Sequence, residues 1–180
     1  KTKIFASGSK CYNNVTFSFY FILATFYLIK LRDYKTSDWE VISKIHDEAR
    51  LDELRGTVDL NAFIPLRKAA FAEGLFGGEI IVAESDGEVA GFIGYNKKTI
   101  HWLYVSPLHY RKGIGKMLIE YVLEKSAGEL RIAVLKNNIA AINLYKKMGF
   151  KEERIFKGPM IGAEQYEAEG IAMKWERGKS

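Results

Sequence analysis

The chain has 180 residues, 48% of them hydrophobic and 27% charged, enough for one globular domain with a sizeable core and too few for two. Its formal net charge of +5 is uneven: Lys1, Lys3, Lys10 and Lys30 stand without an acid among the first 30 residues, while the other 23 bases face all 22 acids. A near-neutral domain with only short basic clusters lacks the Lys/Arg stripe that a duplex requires, so nucleic acid is not an expected partner.

The single cysteine, Cys11, excludes an internal disulfide, and a cytoplasmic setting is the default expectation. His46, His101 and His109 have no metal-ligand spacing, and no metal is expected. Residues 1–27 form an atypical aromatic and apolar extension, uncharged from Cys11 onward. It is too short and too β-branched for a membrane span, reads as a strand or as upstream sequence, and would suit a homodimer contact if native. The domain is expected over 28–180.

From Leu28 the pattern is orderly. Leu28 to Arg32 reads as a strand, and Ser37-Asp38 as the cap of a helix running towards Leu54, with Trp39, Ile42, Ile45 and Ala49 on one face. A second helix is expected from Phe63 to Glu73, with Pro65 in its first turn. Ile80 to Glu84 and Val89 to Tyr95 flank Asp86-Gly87, a pair that supplies the positive φ angles of a tight hairpin turn. Ile100 to Val105 is the next strand. After Pro107 the period changes to 3.6, and Ile114, Met117, Leu118, Tyr121 and Val122 mark a helix ending before Gly128. Strand Leu130 to Leu135, helix Ile139 to Met148 capped by Gly149, and strands Phe150 to Phe156 and Gly170 to Trp175 complete a mixed α/β order of about 6–7 strands and about four helices.

One segment carries chemistry. Residues 103–116, LYVSPLHYRKGIGK, run from a strand through a basic, glycine-bearing loop into a helix. Gly113 and Gly115 allow close backbone approach, and the first N–H groups of the helix point outward with a favourable dipole, so a pyrophosphate is the natural guest. The plain alternative is a turn that needs glycine only for packing. A P-loop is excluded because no Lys-Ser/Thr pair follows, and a Rossmann loop because the third glycine is missing.

Together with Asn138-Ile139-Ala140-Ala141-Ile142-Asn143-Leu144-Tyr145 and Gly149-Phe150, this segment resembles the GNAT superfamily of acetyl-CoA-dependent N-acetyltransferases. The family signature is Gln/Arg-x-x-Gly-x-Gly/Ala after a strand, then Asn-x-x-Ala-x-x-x-Tyr and Gly-Phe. Tyr110 departs from it, standing where Gln or Arg is usual. The resemblance implies a central sheet splayed in the middle, with acetyl-CoA as cosubstrate. Leu103, Tyr104 and Val105 would meet the pantetheine arm, and Arg111, Lys112, Gly113, Ile114, Gly115 and Lys116 the pyrophosphate. Asn138 would contact the cofactor arm, although an Asn before a helix also serves as a plain N-cap. Tyr145 would protonate the leaving sulfur, or else merely pack on the helix face.

An amine must lose its proton before it can attack a thioester. The strand from Thr99 to Val105 holds no acid, which leaves His101, on the strand parity of Leu103 and Val105, as the candidate base. The other reading of His101 is a structural hydrogen bond beside Trp102. Glu48, Asp52 and Glu53 lie where a cationic amine could be attracted, or form a solvated helix face. The expected function is acetyl transfer to a small-molecule, peptide or protein amine by direct attack. The alternative is a CoA-binding sensor without turnover.

Overall fold

The computed structural model describes residues 28–178. The aromatic N-terminal extension, and the dimer contact expected from it, fall outside these residues. Seven strands form one sheet in the order β1-β2-β3-β4-β5-β7-β6, and four helices cover its two faces. The strands are β1 (Ile29–Asp33), β2 (Glu79–Ser85), β3 (Glu88–Tyr95), β4 (Thr99–Val105), β5 (Glu129–Leu135), β6 (Lys151–Met160) and β7 (Ala163–Glu176). The helices are α1 (Trp39–Leu54), α2 (Leu66–Ala72), α3 (Ile114–Lys125) and α4 (Ile139–Lys147).

The β2–β3 hairpin forms as its sequence dictates. Asp86 and Gly87 take φ of 54° and 87°, the paired positive angles that match a two-residue turn to the twist of its strands. Both strands are covered on both faces. Ile81 and Ile93 pack with Ile114, Leu118 and Ile119 of α3, while Val82 and Phe92 pack with Ile42 and Ile45 of α1 and Leu66 of α2. That burial explains their nearly unbroken apolar run. Phe92 is fully buried, and its truncation to Ala is expected to cost about 3–5 kcal/mol.

Two elements near the future site differ from expectation. Asp38 sits at the N-terminus of α1, but its side chain makes no cap bond within the helix. It instead accepts two hydrogen bonds from the Arg32 guanidinium, at 2.7 and 2.9 Å, and one from the Lys35 N–H. This ties β1 to the start of α1. The second helix is shorter than its pattern, because the residue before a proline is driven to extended geometry and Pro65 becomes the N-cap. Pro65 has no side-chain acceptor, so Asp47 of α1 caps from outside, with Oδ1 accepting from the Leu66 N–H at 2.8 Å.

The last two strands are longer than predicted. β6 is the sheet edge, exposed from Lys151 to Lys157, and so carries no buried alternation to read. Its hairpin with β7 extends until Met160 and Ala163 pack against Leu54 at the end of α1.

The feature that creates the site is the pairing of β4 with β5, the one parallel pair among the described residues. It holds only Thr99 to Arg131 and Ile100 to Ile132. Beyond those two positions the strands part, whereas β5 remains fully paired with β7 from Glu129–Glu176 to Leu135–Gly170. The Leu103–Val105 edge of β4 therefore faces an opening rather than a neighbouring strand. No helix of the described residues is long and apolar enough to cross a membrane.

Candidate active site

The opening is a cleft of about 810 Å³ whose walls include Leu103, Tyr104 and Val105 from β4, Ile132, Ala133 and Val134 from β5, the N-terminus of α3, α4, and the last turns of α1. A volume of this order suits an extended small-molecule ligand together with part of a second.

At one end lies the glycine loop. Gly113 has φ 85° and nothing within 4 Å of where a Cβ would stand, so glycine is required there by backbone conformation, and the space above it is open. Gly115 is needed for a different reason: a Cβ would lie 3.2 Å from Leu144 Cδ2 of α4. Gly113 therefore answers to backbone conformation beside open space, and Gly115 to packing against α4. Arg111 takes φ 64°, a left-handed conformation uncommon outside glycine that is retained where the surroundings demand it. The first helical N–H to find a carbonyl is that of Met117, to Gly113 at 3.0 Å, which leaves the N–H groups of Ile114, Gly115 and Lys116 without a helix partner. Lys116 is exposed and paired with Glu120 at 3.3 Å. This loop and the parted strand edge fit a pyrophosphate with a pantetheine arm.

Tyr110 stands on the glycine loop where Gln or Arg is usual, and its phenol is pushed up to about 12 by burial, then by the charge of Asp52 on α1.

Further in, Asn138 uses both ends of its amide. Oδ1 accepts from the Ala141 N–H at 3.1 Å as an N-cap, and Nδ2 donates to Glu53 Oε1 at 3.3 Å. Tyr145, seven residues on, is buried against Phe150 with ring centroids 6.1 Å apart and also lines the cleft. Burial, then the nearby Glu53 carboxylate, raises its pKa well above the ordinary phenol value. Tyr145 thus packs on the helix face and lines the cleft at the same time.

His101 is placed differently from its expected parity. β4 bulges opposite Gly94 and Tyr95, where Ile100 and Trp102 pair with consecutive residues of β3. The extra residue resets the alternation. Ile100 joins the core cluster of Leu103 and Val105, while Trp102 and Tyr104 pack on the α1 face. His101 is exposed at the rim of the cleft, its Nε2 2.8 Å from Asn96 Nδ2, and partial burial lowers its pKa.

The α1 wall holds groups that sequence reasoning did not assemble. Glu53 pairs with Arg50 and accepts from the Tyr104 hydroxyl at 3.4 Å. Glu73, just past α2, feels both Arg50 and Glu53, and burial raises its pKa. Tyr104 is raised well above ordinary by burial and then by Glu53. The His46 ring stands edge-on to it at 4.7 Å; burial lowers the pKa of that imidazole, opposed by its bond to Asp47. The Arg50–Glu53 spacing of three was readable on a helix, whereas Tyr104 and Asn138 lie 51 and 85 residues from Glu53, and no local pattern announces them.

Residues 76–152 match the family described as the acetyltransferase (GNAT) domain. The match runs from β2 to the start of β6 and takes in the glycine loop, Asn138 and Tyr145. The GNAT fold extends over most of the described chain. A GCN5-related N-acetyltransferase from Rhodopseudomonas palustris superposes with a TM-score of 0.70 at 21% identity, over 82% of this chain and 95% of that one. A GNAT phosphinothricin acetyltransferase from Sinorhizobium meliloti, solved in complex with acetyl-CoA, gives a TM-score of 0.61 at 19% identity, over 83% and 89%. Over 88 residues the chain is 34% identical to the peptidyl-lysine N-acetyltransferase YiaC of Escherichia coli K12, covering 48% of this chain and 58% of that one. The chain spans between 23% and 58% of the length of the curated relatives it matches.

Proposed function

We propose that the protein is an N-acetyltransferase that moves an acetyl group from acetyl-CoA to a primary amine by direct attack within a ternary complex. The observation that carries this reading is the meeting, in one cleft, of a helix N-terminus open to an anion, an unpaired strand edge and the Tyr145 phenol.

Bound there, acetyl-CoA supplies an acetyl thioester. The side chains of Arg111 and Lys112 and the N–H groups of Ile114, Gly115 and Lys116 hold the pyrophosphate. The backbone of Leu103, Tyr104 and Val105 pairs with the pantetheine arm, and an N–H near Tyr104 or Val105 faces the thioester oxygen. Tyr145 keeps its proton through the neutral range and donates it in a hydrogen bond to the sulfur. A thiol near pKa 8.5 leaves readily, so this bond, rather than complete proton transfer, is what the phenol has to supply.

Asp52 and Glu53 on the opposite wall favour a cationic acceptor. A peptide or protein amine is the class that the likeness to YiaC supports. His101, at the rim, is one candidate for removing the amine's proton.

The test is thiol release from acetyl-CoA over a panel of α-amino peptides, lysine peptides and polyamines, with Tyr145→Phe beside the wild type. A tenfold or greater fall in the variant supports the mechanism. Acetyl-CoA binding without acetylation of any amine favours the sensor reading, and absence of binding removes the proposal.

A further inference from the structure

We propose that Glu53, rather than His101, takes the proton of the acceptor amine, and that Arg50, Tyr104 and Asn138 hold its carboxylate at the junction of the cofactor arm and the acceptor cleft. This rests on the acetyltransferase reading and assigns a base within it.

The argument begins from what β4 lacks. Between Thr99 and Val105 it carries no carboxylate, so a carboxylate in the heart of the cleft has to arrive from another element. Glu53 does so from the last turn of α1, and it lines the cleft. Its two oxygens face different partners: Oε1 accepts from Asn138 Nδ2 at 3.3 Å, and Oε2 accepts from the Tyr104 hydroxyl at 3.4 Å and from Arg50 Nη1. Asn138 caps α4, the helix that carries Tyr145, so one residue links Glu53 to the helix that faces the cofactor. The side chain is 16% exposed, shielded enough to be held in place and open enough to meet a ligand. Both of the polar contacts from β4 and α4 are long for hydrogen bonds, and Oε1 has no charged partner among those contacts, which leaves it the oxygen available to an ammonium.

The charges around Glu53 come from every neighbouring element. Arg50 and His46 share α1, Glu73 follows α2, Tyr104 stands on β4, Tyr110 on the phosphate loop, and Tyr145 on α4. Arg50 pairs with Glu53 and also feels the charge of Glu73. Binding of a cationic amine therefore adds positive charge to a group of two carboxylates and one guanidinium. His101 differs on each count. It is exposed, its Nε2 is engaged by Asn96, and it stands at the rim of the cleft, one residue past the last paired position of β4 and β5.

The proton balance is simple. The bound ammonium gives one proton to Glu53, which passes it to solvent; the neutral nitrogen forms the C–N bond as the C–S bond breaks, and the second proton that the nitrogen sheds in becoming an amide goes to solvent while CoA leaves as the thiolate hydrogen-bonded by Tyr145.

The test compares Glu53→Gln, Glu53→Asp and His101→Gln in kcat/KM against pH for one active amine, with acetyl-CoA affinity by calorimetry and thermal unfolding recorded for each. With Glu53→Gln, kcat/KM near neutrality is expected to fall about 100-fold. It should then rise tenfold per pH unit up to the pKa of the amine, because only amine already neutral in solution can react. Acetyl-CoA affinity should stay within about threefold of wild type, Glu53→Asp should recover part of the rate and the flatter profile, and His101→Gln should leave the profile in place. A Glu53→Gln loss of equal size at every pH, or a profile altered by His101→Gln alone, overturns the assignment. If the wild type itself acetylates no amine while binding acetyl-CoA, it is the acetyltransferase reading that has failed.

Discussion

The two walls of the cleft were built by different means. The wall proposed to hold the cofactor, from β4 through α3 and β5 to α4, comes from one continuous stretch in which each element positions the next: a strand edge, a loop with two glycines, a helix N-terminus, and a capped helix carrying Tyr145. The acceptor wall is assembled from α1, the segment past α2 and the middle of β4, and its polar groups meet only because the sheet brings them together. The first wall tolerates few local changes in backbone geometry. The second depends on charges that balance one another across distant segments, and different perturbations should therefore expose each.

The largest effect is expected at the point where the walls meet. Tyr145→Phe removes one hydroxyl from a buried ring and should lower kcat by about 100-fold, with acetyl-CoA affinity nearly unchanged in calorimetry. A comparable loss in affinity would mean that the hydroxyl serves acetyl-CoA binding rather than the departure of the sulfur. Next in size is the link that anchors α1 to β1. Asp38→Asn should cost about 2–3 kcal/mol of stability in urea unfolding, because a carboxylate 8% exposed loses charged hydrogen bonds to Arg32. The Arg32 bonds hold the pKa of Asp38 below the usual range. Its contribution is therefore complete above the unfolded value near pH 4 and is lost as pH falls through the lower folded value. The variant should lack that part of the acid limb.

Smaller is the effect at the glycine loop. Gly113→Ala places a Cβ at φ 85°, a strain of about 1–2 kcal/mol. This should weaken acetyl-CoA binding by about tenfold while leaving the KM for the amine near wild type, since the acceptor wall is untouched. The smallest is Tyr110→Phe, which removes the phenol that feels the charge of Asp52. It should change the KM for the amine by about two- to fivefold, the scale of one partly exposed polar group, and leave acetyl-CoA affinity in place. If Tyr110→Phe instead weakened acetyl-CoA binding more than amine binding, Tyr110 would be acting in the phosphate contact that its position in the motif suggests.

The readable part of the protein was the part in which cause and effect are close in sequence. Asp86-Gly87 announced its hairpin, the change of period after Pro107 announced α3, and Asn138, Tyr145 and Gly149 stood at the cap, cleft-facing and terminal positions of α4 that their spacing required. Where the pattern misled, a longer-range force had acted. Asp38 was drawn away from the helix cap by Arg32, the α2 start was moved by the extended geometry that Pro65 imposes, and β6 ran on because backbone pairing with β7 does not need a buried face. His101 was assigned by strand alternation, and a single inserted residue in β4 was enough to reset it.

What the sequence determined by itself was the cofactor wall, because backbone conformation, helix capping and glycine access are local properties set by a few consecutive residues. What only the tertiary structure decided was the acceptor wall. Glu53 is one of several acids on α1 until folding sets Arg50, Tyr104 and Asn138 around it, and the selection among chemically identical side chains is made by burial and by distance, neither of which a linear pattern records.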